Sequence, residues 1–292
     1  MQLGELQAEG ALMGIRIVSD SSSDLLELDG VDYRTVPLKI MFGGREYIDE
    51  IGTDCVEMVL ALQQHTGPST TSCPNVHEWL ETFEGADEIF GITISSGLSA
   101  SFESAEMARR QFVEAHPGAK VHIFDSKATG PVERLIIEKL REGIMAGDAY
   151  DDILARTIEY QKSIRILYAL ESLNNLANNG RVNPHVARIA GVLNIRAIGH
   201  ASDEGTVELL HNCRGEKRTL KTLVNEMVTR GCTGGTVHID HCLNLPAASA
   251  LKDAILKQIP EADVQIHPCT ALCSYYADKG GLIIGYEVAE SA

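Results

Sequence analysis

The chain has 292 residues, 44% hydrophobic and 23% charged, with 25 Lys and Arg against 41 Asp and Glu, a formal charge of −16. That length accommodates two modest domains or one large one, and the composition excludes wholesale disorder. The excess of acid repels phosphate backbones and anionic lipid surfaces, so nucleic-acid binding starts from a poor position.

Elements are predicted in chain order from hydrophobic period and turn chemistry. Residues 1–14 form a weak segment before the first good strand, with Met13 as an alternative start. Ile15 to Ser19 reads as a buried strand, and "DSSSDLLEL" follows, where Asp24 and Glu27 have capping-box spacing for a helix. "PSTTSCPN" at 68–75 is read as a polar loop. "EIFGITISSGLSASFESAEMARRQF" gives strand, polar turn and helix, and "KVHIFDSKATGPVERLIIEKLREGI" repeats the pattern, with its strand over Val121 to Phe124. Strands alternating with helices imply a mainly parallel sheet covered on both faces, with ligands collecting at the carboxyl ends of the strands. A boundary near residue 150 divides an N-terminal α/β domain, 15–150, from a second α/β domain, 151–292. The second is read as a helix over "DDILARTIEYQ", a strand at "RILYAL", and a short helix closed by Asn179-Gly180. A helix at "VARIAGVLN", strands at "IRAIGHA" and "TVELLHNC", and an amphipathic helix at "GEKRTLKTLVNEMVTRG" come next. "GTVHIDHC", a helix at "AASALKDAILKQI", "DVQIHPC" and "GLIIGYE" complete it.

Seven cysteines with no C-x-x-C spacing read as reduced thiols, and hence as a cytoplasmic chain. No apolar run approaches the roughly 20 residues of a membrane span.

The turn "ISSGLS", with Ser95, Ser96 and Ser99, raises two options. One serine is a nucleophile, or hydroxyls and backbone N–H groups together hold an oxygen-bearing ligand. The nucleophile elbow G-x-S-x-G fails, because Ile94 and Leu98 stand where its glycines belong. A zinc site at His238, Asp240, His241 and Cys242 with His267, Cys269 and Cys273 fails on strand alternation, which splits His238 and Asp240 from His241. Neither dinucleotide nor P-loop glycine patterns occur. A helix start at Gly97 to Ser101 suits a small anion, although the same residues also serve as ordinary caps and turns. Arg181, just past a helix-ending glycine, is either a fork for a carboxylate or half of a surface salt bridge. Arg214, Lys217, Arg218 and Lys221 fall at helical spacing and are either a solvated face or a docking surface.

In order along the chain, "IRIVSDSSSDL", "VPLKIMFGGREYIDE", "PSTTSCPN", "ISSGLSASFESA", "VHIFDSKATG", "LESLNNLANNGRV", "VLNIRAIGHASDEGTVELLHNCRGEKRTLKTLV" and "KGGLIIGYE" resemble the DegV family over residues 15–287. These are bacterial fatty-acid-binding proteins that serve fatty acid kinase in phospholipid metabolism. The resemblance implies a non-catalytic lipid carrier with a long-chain fatty acid in an apolar tunnel between the two domains. It implies a carboxylate held by Thr71, with Ser72 beside it, and by Ser95 or Ser96, with Arg181 near the head group. Where the family commonly has a threonine and a histidine near the C-terminus, Ser274 and Tyr275 stand here. The same resemblance favours the basic segment Arg214, Lys217, Arg218 and Lys221 as the docking surface for a kinase subunit. No cofactor and, from the acidic charge, the ligand spacing and the lack of a long apolar run, no nucleic acid, no metal and no stable membrane insertion are expected. The alternative is a serine esterase using the same strand-edge hydroxyls.

Overall fold

The computed structural model describes residues 14–183 and 194–289. The first strand, β1 (Arg16–Asp20), carries Ile17 and Val18 on opposite faces and lies inside a parallel sheet, fully buried. Its partners are β2 (Asp32–Val36) on one side and β6 (Glu88–Thr93) on the other, and β7 (Lys120–Asp125) extends the sheet beyond β6. All three pairings are parallel. Period-two alternation sends Val18, Ile89 and Ile123 to one face, under helices α2 (Val76–Phe83) and α3 (Ser101–Ala115). Ile17, Phe90, Ile92 and Phe124 face the opposite layer, α4 (Pro131–Ala146) and α5 (Tyr150–Gln161).

Between β2 and β6 the chain builds a small antiparallel sheet. Its strands are β3 (Lys39–Phe42), β4 (Arg45–Ile48) and β5 (Ser69–Ser72), in the order β4-β3-β5. Gly43 and Gly44, both at positive φ, make the two-residue turn between β3 and β4. Helix α1 (Cys55–Gln64) follows β4. The expected polar loop at 68–75 is thus partly a strand, because Ser69 to Ser72 pair in register with Phe42 to Lys39. The backbone pairing decides here, and the polar side chains are only half-buried.

The helix expected after Asp24 does not form. Asp20 instead caps a single 3-10 turn, Ser21–Ser23, by accepting a hydrogen bond from the Ser22 amide. Asp24 takes the left-handed conformation at φ +53° and ends the turn. Its carboxylate then serves a distant partner, accepting from the Thr270 amide at 2.7 Å.

The second half is a six-stranded sheet in the order β10-β9-β8-β13-β11-β12. The strands are β8 (Ile164–Leu170), β9 (Ile195–Ala201), β10 (Val207–Arg214), β11 (Gly235–His241), β12 (Ala262–Pro268) and β13 (Leu282–Glu287). Only β11–β12 is parallel. Between β8 and β9 lies the short α6 (Asn174–Asn178), closed by Gly180 at φ +75°. The helices α7 (Glu216–Thr229) and α8 (Leu245–Gln258) cover one face of the sheet. The other face meets α4, so that this one helix lies between both large sheets with nine of its residues buried. A last short helix, α9 (Ala271–Ala277), joins β12 to β13 and touches α1, α6 and β3. The predicted helix at "VARIAGVLN" and most of the N-terminal segment 1–14 lie outside the described residues.

Candidate functional site

The two halves enclose a cavity of about 720 Å³, its open mouth included, where α9, the end of β6 and the inner face of β8 converge. Its long walls are apolar: Ile166 and Leu170 from β8, Ile283 from β13, Ile94 and Leu98 beyond β6, and Leu272 from α9.

Polar groups gather where β5, α9 and the segment after α6 meet. Thr71 Oγ1 and the Tyr276 hydroxyl are 2.7 Å apart. Arg181 reaches in beside them, its Nε donating to Leu98 O at 2.9 Å and one terminal nitrogen to Asn179 O. Both acceptors are neutral carbonyls, and Arg181 forms no ion pair with any carboxylate among the described residues. Burial raises the Tyr276 phenol above its usual range, so it stays a hydrogen-bond donor at neutral pH. Ser99 also lines the wall, two residues before α3 begins.

The sequence-derived site residues separate into two groups. Thr71 and Arg181 line the cavity. The others sit around it with their polar atoms already engaged. Ser95 is fully buried and donates to Gly205 O at 2.8 Å. Ser96 donates through its backbone N–H and its hydroxyl to the Asp125 carboxylate. Ser274 donates to Cys269 O at 3.3 Å. The Tyr275 hydroxyl lies 2.7 Å from Ser69 Oγ and accepts from Asn179 Nδ2 at 2.8 Å, while its neighbour Tyr276 faces the cavity. Ser72 pairs with Lys39 in the small sheet and is not on the wall.

The "SSG" turn has its shape for a packing reason. A Cβ at Gly97 would stand 2.8 Å from Glu204 O, so only glycine admits the turn between β9 and β10. Neither Ser95 nor Ser96 hydrogen-bonds to a histidine among the described residues. His238 Nδ1 lies 3.2 Å from His267 Nε2, and its Nε2 lies 2.9 Å from Glu138, whereas His241 accepts from the Asn244 amide. No three His, Cys, Asp or Glu side chains are arranged to hold a metal ion among the described residues.

Behind the wall formed by Thr129 and Cys273 lies a buried acidic group. Asp24 Oδ2 and Asp240 Oδ2 each stand 3.3 Å from the Cβ position of Gly130, and neither has a hydrogen-bond donor among the described residues. Burial first, and the facing Asp24 second, hold the Asp240 carboxyl well above the usual range. Asp49, which accepts from the Ala271 amide at 2.7 Å, is raised to about 7 by burial and by Asp24. These acids come from segments distant in sequence, so no local motif announced them.

The model of the DegV family, described as uncharacterised proteins, matches residues 14–288. The chain belongs to the DegV family. A DegV domain-containing protein of Streptococcus gordonii is 35% identical over 277 residues, spanning 94% of this chain and 99% of that one. Among solved structures, a DegV family protein from Eubacterium eligens loaded with heptadecanoic acid superposes with a TM-score of 0.92 at 40% identity, covering 94% of this chain and all of that one. The Streptococcus pneumoniae fatty acid kinase B3 protein loaded with linoleic acid gives 0.92 at 33% identity, with the same coverage of this chain and all of that one. No helix among the described residues of this DegV chain is long and apolar enough to cross a membrane.

Proposed function

We propose that this protein binds one long-chain fatty acid in the interdomain cavity and presents its carboxylate to a separate kinase. The observation that carries this reading is Arg181: a guanidinium on the wall of an otherwise apolar cavity, satisfied only by neutral carbonyls among the described residues. A half-buried cation without a carboxylate partner among the described residues calls for an anion, and the apolar walls call for a hydrocarbon. A fatty acid supplies both. In this reading Thr71, Tyr276 and Ser99 complete the head-group end, while Ser95 and Ser96 build the turn that shapes it. Each buried methylene contributes about 0.8 kcal/mol and the head group fixes orientation. The fatty acids held by the Eubacterium eligens and pneumococcal proteins support it.

The protein is not itself catalytic in this reading and needs no cofactor. The committed hydrogen bonds of Ser95 and Ser96 leave the esterase alternative without an activated hydroxyl. Arg214, Lys217, Arg218 and Lys221 are exposed around the start of α7 and form no ion pair with any described residue, which favours docking of an acidic kinase surface. A division near residue 150 serves as the domain boundary, with α4 shared by both halves. Mass spectrometry of an organic extract from the purified protein tests the carrier reading. Near-stoichiometric fatty acid is expected. A blank that persists after incubation with mixed fatty acids would refute it.

A further inference from the structure

A second cleft lies on the same inner face of β8, and it meets the acyl cavity at a single residue. Alternate residues of β8 point inward. Tyr168 and Leu170 line the cavity, Ile164 lines the cleft, and Ile166 between them lines both. The opposing walls change over at the same level. On the loop before α4, Thr129 belongs to the cavity and Ala128 to the cleft. On the neighbouring hairpin Val207 belongs to the cavity, and Ala201, its partner in register, to the cleft. Three separate segments therefore place the boundary in one layer, and Ile166 is the only side chain common to both spaces among the described residues.

The polar end lies at the other extreme. Leu282 pairs with Ala169, and the preceding Gly281 packs so closely on α9 that a Cβ there would stand 2.5 Å from O of Ala277, the neighbour of Tyr276, so Leu170 is the end nearer the head group. At about 3.3 Å per residue, the cavity runs roughly 13 Å along the strand from Leu170 to Ile166. Beyond Ile166 the space continues as an open cleft with Lys127, Lys162, Arg165 and Arg230 around it. An acyl chain growing past Ile166 would leave an apolar wall for water and charge, so the added methylenes gain little.

We infer that Ile166 is a partition closing the tail end of the acyl cavity and sets the longest chain the protein binds well. The inference rests on the fatty-acid reading above. Truncating the partition joins the two spaces into one through-tunnel, so that longer chains pass along the wall instead of folding back.

The test loads the full-length protein with an equimolar series of straight-chain saturated acids from laurate to lignocerate, and the retained acids are read by mass spectrometry. Wild type is expected to show a sharp upper limit. A buried methylene is worth about fourfold in affinity. Ile166→Ala vacates room for two methylenes inside the apolar wall, short of the charged cleft, and should therefore raise retention of the next even-numbered acid beyond that limit about tenfold relative to the acid at the limit. Val224→Ala, a truncation in the second core that borders neither space, should leave the limit in place. Ile166→Val should shift the profile less and in the same direction, which keeps the test valid should the alanine variant not fold. A profile for both Ile166 variants equal to wild type, or to that of Val224→Ala, would overturn the partition while the carrier reading stands. Wild type that retains no acid would overturn the carrier reading and the partition with it.

Discussion

Replacing Arg181 with glutamine keeps a planar hydrogen-bonding head while deleting the charge. Arginine carries five N–H donors. Two go to Leu98 O and Asn179 O, which leaves three for a ligand. A hydrogen bond to a charged partner contributes about 1.5–3 kcal/mol, so loss of the carboxylate contact should weaken fatty-acid binding about 10–150-fold. Because Arg181 is only partly buried, the lower end is the better expectation. The substitution also drops two contacts to backbone carbonyls, and that loss acts on the cavity's shape whatever the ligand. The two effects separate when the ligand changes as well. Displacement of a fluorescent fatty-acid probe would be measured for an acid and for the alcohol of equal chain length, on wild type and Arg181→Gln. The acid should lose at least about tenfold while the alcohol changes by less than about threefold. An equal loss for both would mean that Arg181 only braces the loop, and the electrostatic argument would be wrong.

Other consequences follow from the buried acids and the close-packed glycines. Asp49, raised to about 7, binds a proton in the folded protein that the unfolded chain, near 3.8, has already released over the interval between those values. Stability should thus be greatest below about pH 4 with respect to this group and fall as pH rises toward about 7, and Asp240 acts in the same direction. Asp240→Asn replaces a carboxyl held protonated beside Asp24 with an amide that does not titrate, so thermal melts should show a shallower fall as pH rises above about 3.8 than wild type. An unchanged slope would dismiss the pair as its source. Gly199→Ala would put a Cβ 2.1 Å from the Tyr168 hydroxyl and 2.2 Å from Glu208 O. It should cost about 1–3 kcal/mol or more in denaturant unfolding and weaken acyl binding, since Tyr168 lines the cavity. Asn75→Ala removes the cap that accepts from the His77 and Glu78 amides. Chemical denaturation should register about 1 kcal/mol, with fatty-acid affinity unaltered.

The local grammar of the chain was sufficient for most elements. β1, β6 and β7 were legible as short apolar runs ending in Ser, Thr and Asp, and α3, α4 and α7 as amphipathic stretches. The family resemblance marked Thr71, and it chose for Arg181, just past a helix-ending glycine, between a carboxylate fork and a surface salt bridge; both line the cavity. Spacing misled at Asp24, where capping-box geometry suits a helix but Thr270, 246 positions away, takes the carboxylate. It misled again at 68–75, where a polar stretch pairs with β3 through backbone groups that carry no side-chain signature. Which of two adjacent tyrosines faces the ligand cavity could not be read from "SYYAD". One residue step along α9 separates their directions by about 100°, and only the packing of α9 against α6 and β3 sets which one points inward. The sequence by itself determined the alternation of strands and helices, the acidic surface and the chemistry available at the strand ends. The tertiary structure alone decided the cavity, the buried acids behind Cys273 and the partition at Ile166. Each of these is made by residues far apart in the chain, and hydrophobic burial brings them together without leaving a period or a spacing to read.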